Sequence, residues 1–102
     1  MDALKQKRCG AFFTPEPVVR TLVSWAVRCP DERMLDPSCG DGRFLACNRN
    51  SVGIEQDEDA AKVAIERAPG ALVHKGDFFA WAANTEERFD CAAGNPPFIR
   101  YQ

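Results

Sequence analysis

The tetrapeptide Asn95-Pro96-Pro97-Phe98 carries residue types suited to chemistry on a planar amine. Two consecutive prolines fix φ and remove two backbone donors, so the carbonyls before them face no regular ladder. The Asn95 side-chain oxygen and the Pro96 carbonyl can then accept both hydrogens of one amino group, and Phe98 offers a flat surface to a planar substrate. Such a grip aims an amine lone pair at an electrophile. Upstream stands Asp36-Pro37-Ser38-Cys39-Gly40-Asp41-Gly42, a loop of small residues. Gly40 and Gly42 permit positive φ and close approach of a ligand to the backbone. The spacing is not that of a dinucleotide fingerprint, and no phosphate-loop lysine follows. Asp36 suits a cationic ligand group, such as the ammonium of an amino acid. Glu55 follows 19 residues after Asp36, a separation that suits a carboxylate accepting the hydroxyls of a ribose. Asp77 beside Phe78 pairs a carboxylate for an exocyclic amine with an aromatic face.

These clusters need elements to bring them together. Thr14 is placed to cap a helix whose first position is Pro15, with Glu16 near the positive end of the dipole. Val18, Val19, Leu22, Val23, Ala26 and Val27 recur at helical spacing, and Cys29-Pro30-Asp31 ends the run. Strands are expected at 33–36, 51–55, 71–75 and 88–93. A short helix is expected at 43–47 and a longer one at 58–67, capped by Asp57 and stopped by Pro69-Gly70. The segment 80–87 reads as a helical turn at most. Strands alternating with helices mean βαβ units and a parallel sheet. In such sheets ligands sit beyond the carboxyl ends of the strands, and all four clusters follow strand ends.

Together these residues resemble the class I S-adenosylmethionine-dependent methyltransferases, in particular the N6-adenine DNA methylases of restriction-modification systems. Gly10-Ala11-Phe12-Phe13-Thr14-Pro15 is similar to the family's N-terminal motif, 35–42 to its cofactor loop, Glu55 to its ribose-binding acid, Asp77-Phe78 to its adenine-binding pair, and Asn95-Pro96-Pro97-Phe98 to its catalytic motif. The Thr-Pro motif ahead of the cofactor loop resembles the γ-type order. The resemblance implies a Rossmann-like α/β fold, a parallel sheet with flanking helices, with about four of the family's seven strands present. It implies S-adenosyl-L-methionine as cofactor, held by Thr14, Asp36, Ser38, Cys39, Gly40 and Gly42 at the methionine end. Glu55, Gln56, Asp77, Phe78 and Asn95 would complete the set, and no metal is implied. Asn95, Pro96, Pro97 and Phe98 would be catalytic, in direct methyl transfer to the N6 of an adenine flipped out of DNA. Residues 1–9 read as a leader and 10–102 as the N-terminal part of a catalytic domain. Related enzymes that methylate protein glutamine at N5 or RNA guanine at N2 share the catalytic tetrapeptide, and methylation of cytosine at N4 uses nearly the same chemistry. A non-catalytic fragment that only binds the cofactor is a further alternative.

Composition bounds the rest. The chain has 102 residues, 45% of them hydrophobic, with a formal net charge of −2. That suits one globular domain and argues against this chain alone gripping a phosphate backbone. DNA contact is therefore expected from further C-terminal regions or a partner subunit. Lys5, Lys7 and Arg8 read as a solvated cluster. The five cysteines form no CxxC pair, so neither a disulfide framework nor a zinc site is expected, and free thiols suit the cytoplasm. Cys39 and Cys91 read as packing residues, His74 as a strand or core histidine, and Trp25 and Trp81 as core-facing. No apolar run is long enough for a membrane span. An incomplete sheet would leave an open edge, which favours association.

Overall fold

The computed structural model describes residues 14–95. Pro96, Pro97 and Phe98, the leader at 1–9 and most of the N-terminal motif lie outside them.

Helix α1, Glu16–Ala26, begins one residue later than the Thr14-Pro15 pair suggests. Pro15 takes an extended conformation, φ −57° and ψ 142°, and itself occupies the N-cap. Its carbonyl accepts the N–H groups of Val18 and Val19, both at 3.0 Å. Thr14 therefore does not cap the helix, and no side chain does. Pro17 sits in the first turn, where a missing donor costs little.

Of the expected apolar stripe, Val19 and Val23 turn fully inward against Met34 and Phe44, with Val27, Cys91 and Ala93 at the margin. Val18 and Leu22 are exposed. Trp25 is 77% exposed, contrary to expectation. It stands two residues after Val23, about 200° around a helix, so the two cannot share a face.

Four strands follow: β1, Met34–Asp36; β2, Ser51–Glu55; β3, Leu72–Lys75; and β4, Cys91–Ala92. They form one parallel sheet in the order β3-β2-β1-β4. The chain builds outward from β1 through β2 to β3, then returns to place β4 on the other side of β1. The reversal opens a crevice between the carboxyl ends of β1 and β4, the position at which open α/β sheets bind ligands.

The crossover from β1 to β2 contains a single 3-10 turn, Leu45–Cys47. Helix α2, Glu58–Arg67, joins β2 to β3, and the Asp57 carboxylate caps it by accepting Ala60 N–H at 2.9 Å. Its small face of Ala60, Ala61 and Ala64 lets the helix lie close. Leu45, Cys39, Ala64 and Ala68 pack there with Val73.

Helix α3, Phe78–Asn84, replaces the helical turn expected later in the chain. Asp77 caps it through a hydrogen bond from Ala80 N–H at 2.9 Å. Trp81 is half-buried, 5.8 Å from the His74 ring and 6.1 Å from Phe89. Strand β4 starts later than the expected 88 because of a contact with the start of β1. The Asp90 carboxylate takes the Arg33 N–H at 2.7 Å, a donor that a longer ladder would use. Arg33 also pairs with Glu87 and lies 4.6 Å over the Phe89 ring, pinning this segment to the start of β1. Among the described residues no helix is long and apolar enough to cross a membrane.

Candidate functional site

The carboxyl end of β1 delivers Asp36, which is 1% exposed. Its Oδ1 accepts the Ser38 N–H at 3.2 Å. Its Oδ2 is buried with no hydrogen-bond partner among the described residues. Burial pushes the carboxyl up to about 7; the Ser38 N–H opposes the shift and the Glu55 charge adds to it. A buried carboxylate oxygen without a donor costs free energy unless a ligand supplies one.

Gly94, at the end of β4, lies directly over this carboxylate. A Cβ on Gly94 would stand 2.3 Å from Asp36 Oδ1 and 3.2 Å from Oδ2. Only glycine lets β4 approach so closely, and the approach places Asn95 beside Asp36. Gly94 is not among the site residues expected from the sequence. Its one signal was a residue without a side chain immediately before the tetrapeptide.

The loop after β1 is held by β2. Gly40, at φ +55°, donates its N–H to Glu55 Oε1 at 2.8 Å. Glu55 Oε2 accepts the Asp57 N–H at 2.8 Å. Both oxygens are thus oriented by backbone donors, and each keeps lone-pair capacity for a hydroxyl. Nothing lies within 4 Å of where a Gly40 Cβ would be, so this side of the loop is open to a ligand.

Gly42 differs. It adopts φ +87°, but a Cβ there would meet Ala64 Cα at 2.8 Å. Its lack of a side chain serves packing against α2, and it does not present backbone to a ligand. Cys39 is likewise turned inward, its N–H on the Ile54 carbonyl at 2.9 Å and its side chain against Gly53 and Leu45. Burial raises the Cys39 thiol far above its ordinary range, with the Asp36 charge adding to it. A maleimide is expected to label the exposed Cys29 and Cys47 and to spare Cys39, as peptide mass spectrometry would report. Labelling of Cys39 at the rate of Cys29 would contradict this packing.

The remaining site residues are more loosely connected. Gly76 donates its N–H to the Glu55 carbonyl at 2.9 Å, which sets Asp77 just beyond the end of β2. One Asp77 oxygen is committed to capping α3. Phe78 is half-buried, edge-on to Phe79 at 5.6 Å, and Phe79 is 78% exposed. Gln56 is exposed, and Thr14 is half-buried ahead of α1. Asp36, Ser38, Gly40, Glu55, Gly94 and Asn95 thus gather at one edge. A buried carboxylate, an open glycine backbone and an oriented carboxylate at one edge have the chemistry to take a ligand that is cationic at one end and hydroxylated at the other.

Comparison with known proteins agrees with this geometry. The model of the family described as N-6 DNA Methylase matches residues 2–70. The chain is 30% identical over 96 residues to the type II methyltransferase M.CvrRI of Paramecium bursaria Chlorella virus XZ-6E, covering 88% of this chain and 24% of that protein. It is 34% identical over 96 residues to M.TthHB8I of Thermus thermophilus, covering 87% of this chain and 21% of the relative. The chain therefore spans between a fifth and a quarter of these relatives' lengths.

Among solved structures, an RNA methyltransferase from Salinibacter ruber in complex with S-adenosyl-L-homocysteine superposes with a TM-score of 0.59 at 30% identity, over 67% of this chain and 52% of that one. The sugar N-methyltransferase KedS8 from Streptoalloteichus shares the fold, with a TM-score of 0.58 at 24% identity, over 90% of this chain and 38% of the other. The fold is that of the class I methyltransferases, and with a family model matched over more than half its length, the chain belongs to the N-6 DNA methylase family.

Proposed function

We propose that this chain is the cofactor-binding and amine-positioning part of an S-adenosylmethionine-dependent N6-adenine DNA methyltransferase, working in the cytoplasm. The observation that carries the reading is the unpartnered, buried Asp36 Oδ2 at the strand-order reversal, next to Gly94 and Asn95. The residues fit the cofactor. Asp36 would receive its ammonium, the open backbone around Gly40 its amino-acid portion, Glu55 its ribose hydroxyls, and Asp77 with Phe78 its adenine. When bound, S-adenosylmethionine supplies a methyl group on a positively charged sulfur. Asn95 accepts an N–H of the target amine, with Pro96 accepting the second and Phe98 flanking the ring. The target base must leave the duplex to reach this edge. Holding the amine in one orientation is the chain's main contribution to rate. The relatives named as type II methyltransferases and the structural neighbour holding S-adenosyl-L-homocysteine support the reading. Residues 10–102 are the N-terminal part of such a catalytic domain, with DNA and the cofactor as partners.

The test is transfer of labelled methyl groups to an adenine-containing duplex, with N6-methyladenine read by nucleoside mass spectrometry. Asn95→Ala is expected to lower transfer by about 10²-fold or more, because a misplaced reacting group costs that much, while cofactor affinity changes little. Transfer that survives Asn95→Ala, or a methyl found on cytosine N4, would overturn the assignment.

A further inference from the structure

A second feature lies away from the Asp36 edge. The β1–β2 crossover, residues 37–50, holds only the 3-10 turn Leu45–Cys47, where a parallel crossover ordinarily carries a helix. Met34 and Val73 lie on the same face of the sheet by register, and α1 and α2 cover that face at either side. A groove of about 1120 Å³ opens beside α1, floored by the short turn. Arg20, Arg28, Arg43, Arg49 and Arg67 line it. Seven arginines occur among the described residues, so five of the seven converge here, while the described lysines, Lys62 and Lys75, do not.

The carboxylates nearby do not neutralise them. Arg20 pairs with Glu16 at 2.7 Å and Arg28 with Glu32 at 3.3 Å, with the arginine side chains 71% and 79% exposed. Arg43 and Arg67 both pair with the carboxylate of Asp41, at 3.0 and 2.7 Å. Arg49 makes no ion pair among the described residues. Five arginines and one acidic side chain, Glu16, line the groove, a local positive excess in a chain whose net charge is −2.

We infer that this groove binds the phosphate backbone of a nucleic acid, as a contact separate from the cofactor edge. The guanidinium fork matches phosphate geometry bidentately and is weakly hydrated. The groove follows α1 along its length, about 16 Å for eleven residues. A nucleic-acid strand presents a charge about every 3.4 Å of axis, so four or five phosphates span the arginines. The identity of the polyanion as DNA rests on the proposed methyltransferase function; the positive groove does not.

The experiment measures duplex affinity against salt by fluorescence anisotropy, for the full chain, Arg28→Gln, Arg49→Gln and their double variant. Lys62→Gln removes the same charge outside the groove, and circular dichroism reports the fold. Each arginine is expected to lower the slope of log affinity against log salt by about 0.9. Lys62→Gln is expected to leave it unchanged. A wild-type slope in the double variant, an equal loss in Lys62→Gln, or no duplex binding by the wild type at low salt would overturn the proposal. So would displacement of the duplex by poly-glutamate at equal charge, which would point to an acidic protein partner. Cofactor titration separates the two readings. An arginine-dependent slope without cofactor binding leaves the groove standing and sinks the methyltransferase. Cofactor binding without that slope does the reverse.

Discussion

Asp36→Asn is expected to stabilise the chain and to abolish cofactor binding together. The Asp36 carboxyl is raised from 3.8 to about 7 by burial. Its folded-state value lies above its unfolded one, so ionisation costs stability, and the cost grows as pH rises from about 4 to about 7. Above pH 7 it is constant, at about 4 kcal/mol from 1.36 kcal/mol per unit. Asparagine removes this cost. It keeps an oxygen for the Ser38 N–H but buries an amide N–H₂ where Oδ2 now lacks a partner, which costs about 1–3 kcal/mol. The net gain at pH 8 is about 1–3 kcal/mol, and each kcal/mol raises the melting temperature by about 4–8 °C in a domain of this size. Below pH 4 the two proteins should melt within about 3 kcal/mol of each other, with the order reversed, because only the amide penalty then remains. Removing one partner of a buried charge pair costs about 2–5 kcal/mol in binding, enough to take cofactor affinity out of a useful range. Equal melting temperatures at pH 8, or cofactor binding preserved in Asp36→Asn, would show that the carboxylate is not poised for a cation.

Gly42→Ala is expected to be the most damaging single change in the loop after β1. Its φ of +87° is a backbone state in which a side chain is strained, at about 1–3 kcal/mol. The new Cβ would also lie 2.8 Å from Ala64 Cα and 3.2 Å from the Ala64 carbonyl oxygen. Ala64 is fully buried in the middle of α2, so helix backbone has to move, and overpacking of this kind costs about 1–3 kcal/mol. The total of about 2–6 kcal/mol competes with the whole stability of a small domain. Gly40→Ala makes the contrast. Its Cβ would meet nothing within 4 Å, leaving only the left-handed penalty of about 1–2 kcal/mol. Urea denaturation of both variants checks the pair. A Gly42→Ala variant no less stable than Gly40→Ala would mean that α2 does not rest on this loop.

That contrast also shows where sequence reading ends. The Asp57 cap and the Pro69-Gly70 stop were legible because they act locally, whereas Thr14 does not cap α1. Asp57 caps α2 and both ends of β2 fall where expected. Tertiary choices were not. Two glycines in one loop look alike until a helix packs on one of them. Trp25 looks like core until the narrow inward face of α1 is known. Asp77 could be read as a ligand group, and its role in starting α3 was hidden behind that reading. Asp90 shortens β4 by taking a hydrogen bond from Arg33, a residue distant in sequence. The acidic net charge argued against a phosphate contact, yet charge is a sum, and the fold gathers five arginines on one side.

Direct titration of the chain with S-adenosylmethionine across the pH range, by calorimetry, tests the central claim. Saturable binding is expected above pH 7. Affinity should fall toward tenfold per pH unit below it, as the Asp36 carboxylate is protonated and the ammonium loses its partner. No heat at millimolar cofactor, or an affinity that stays flat from pH 8 to pH 5, would contradict it.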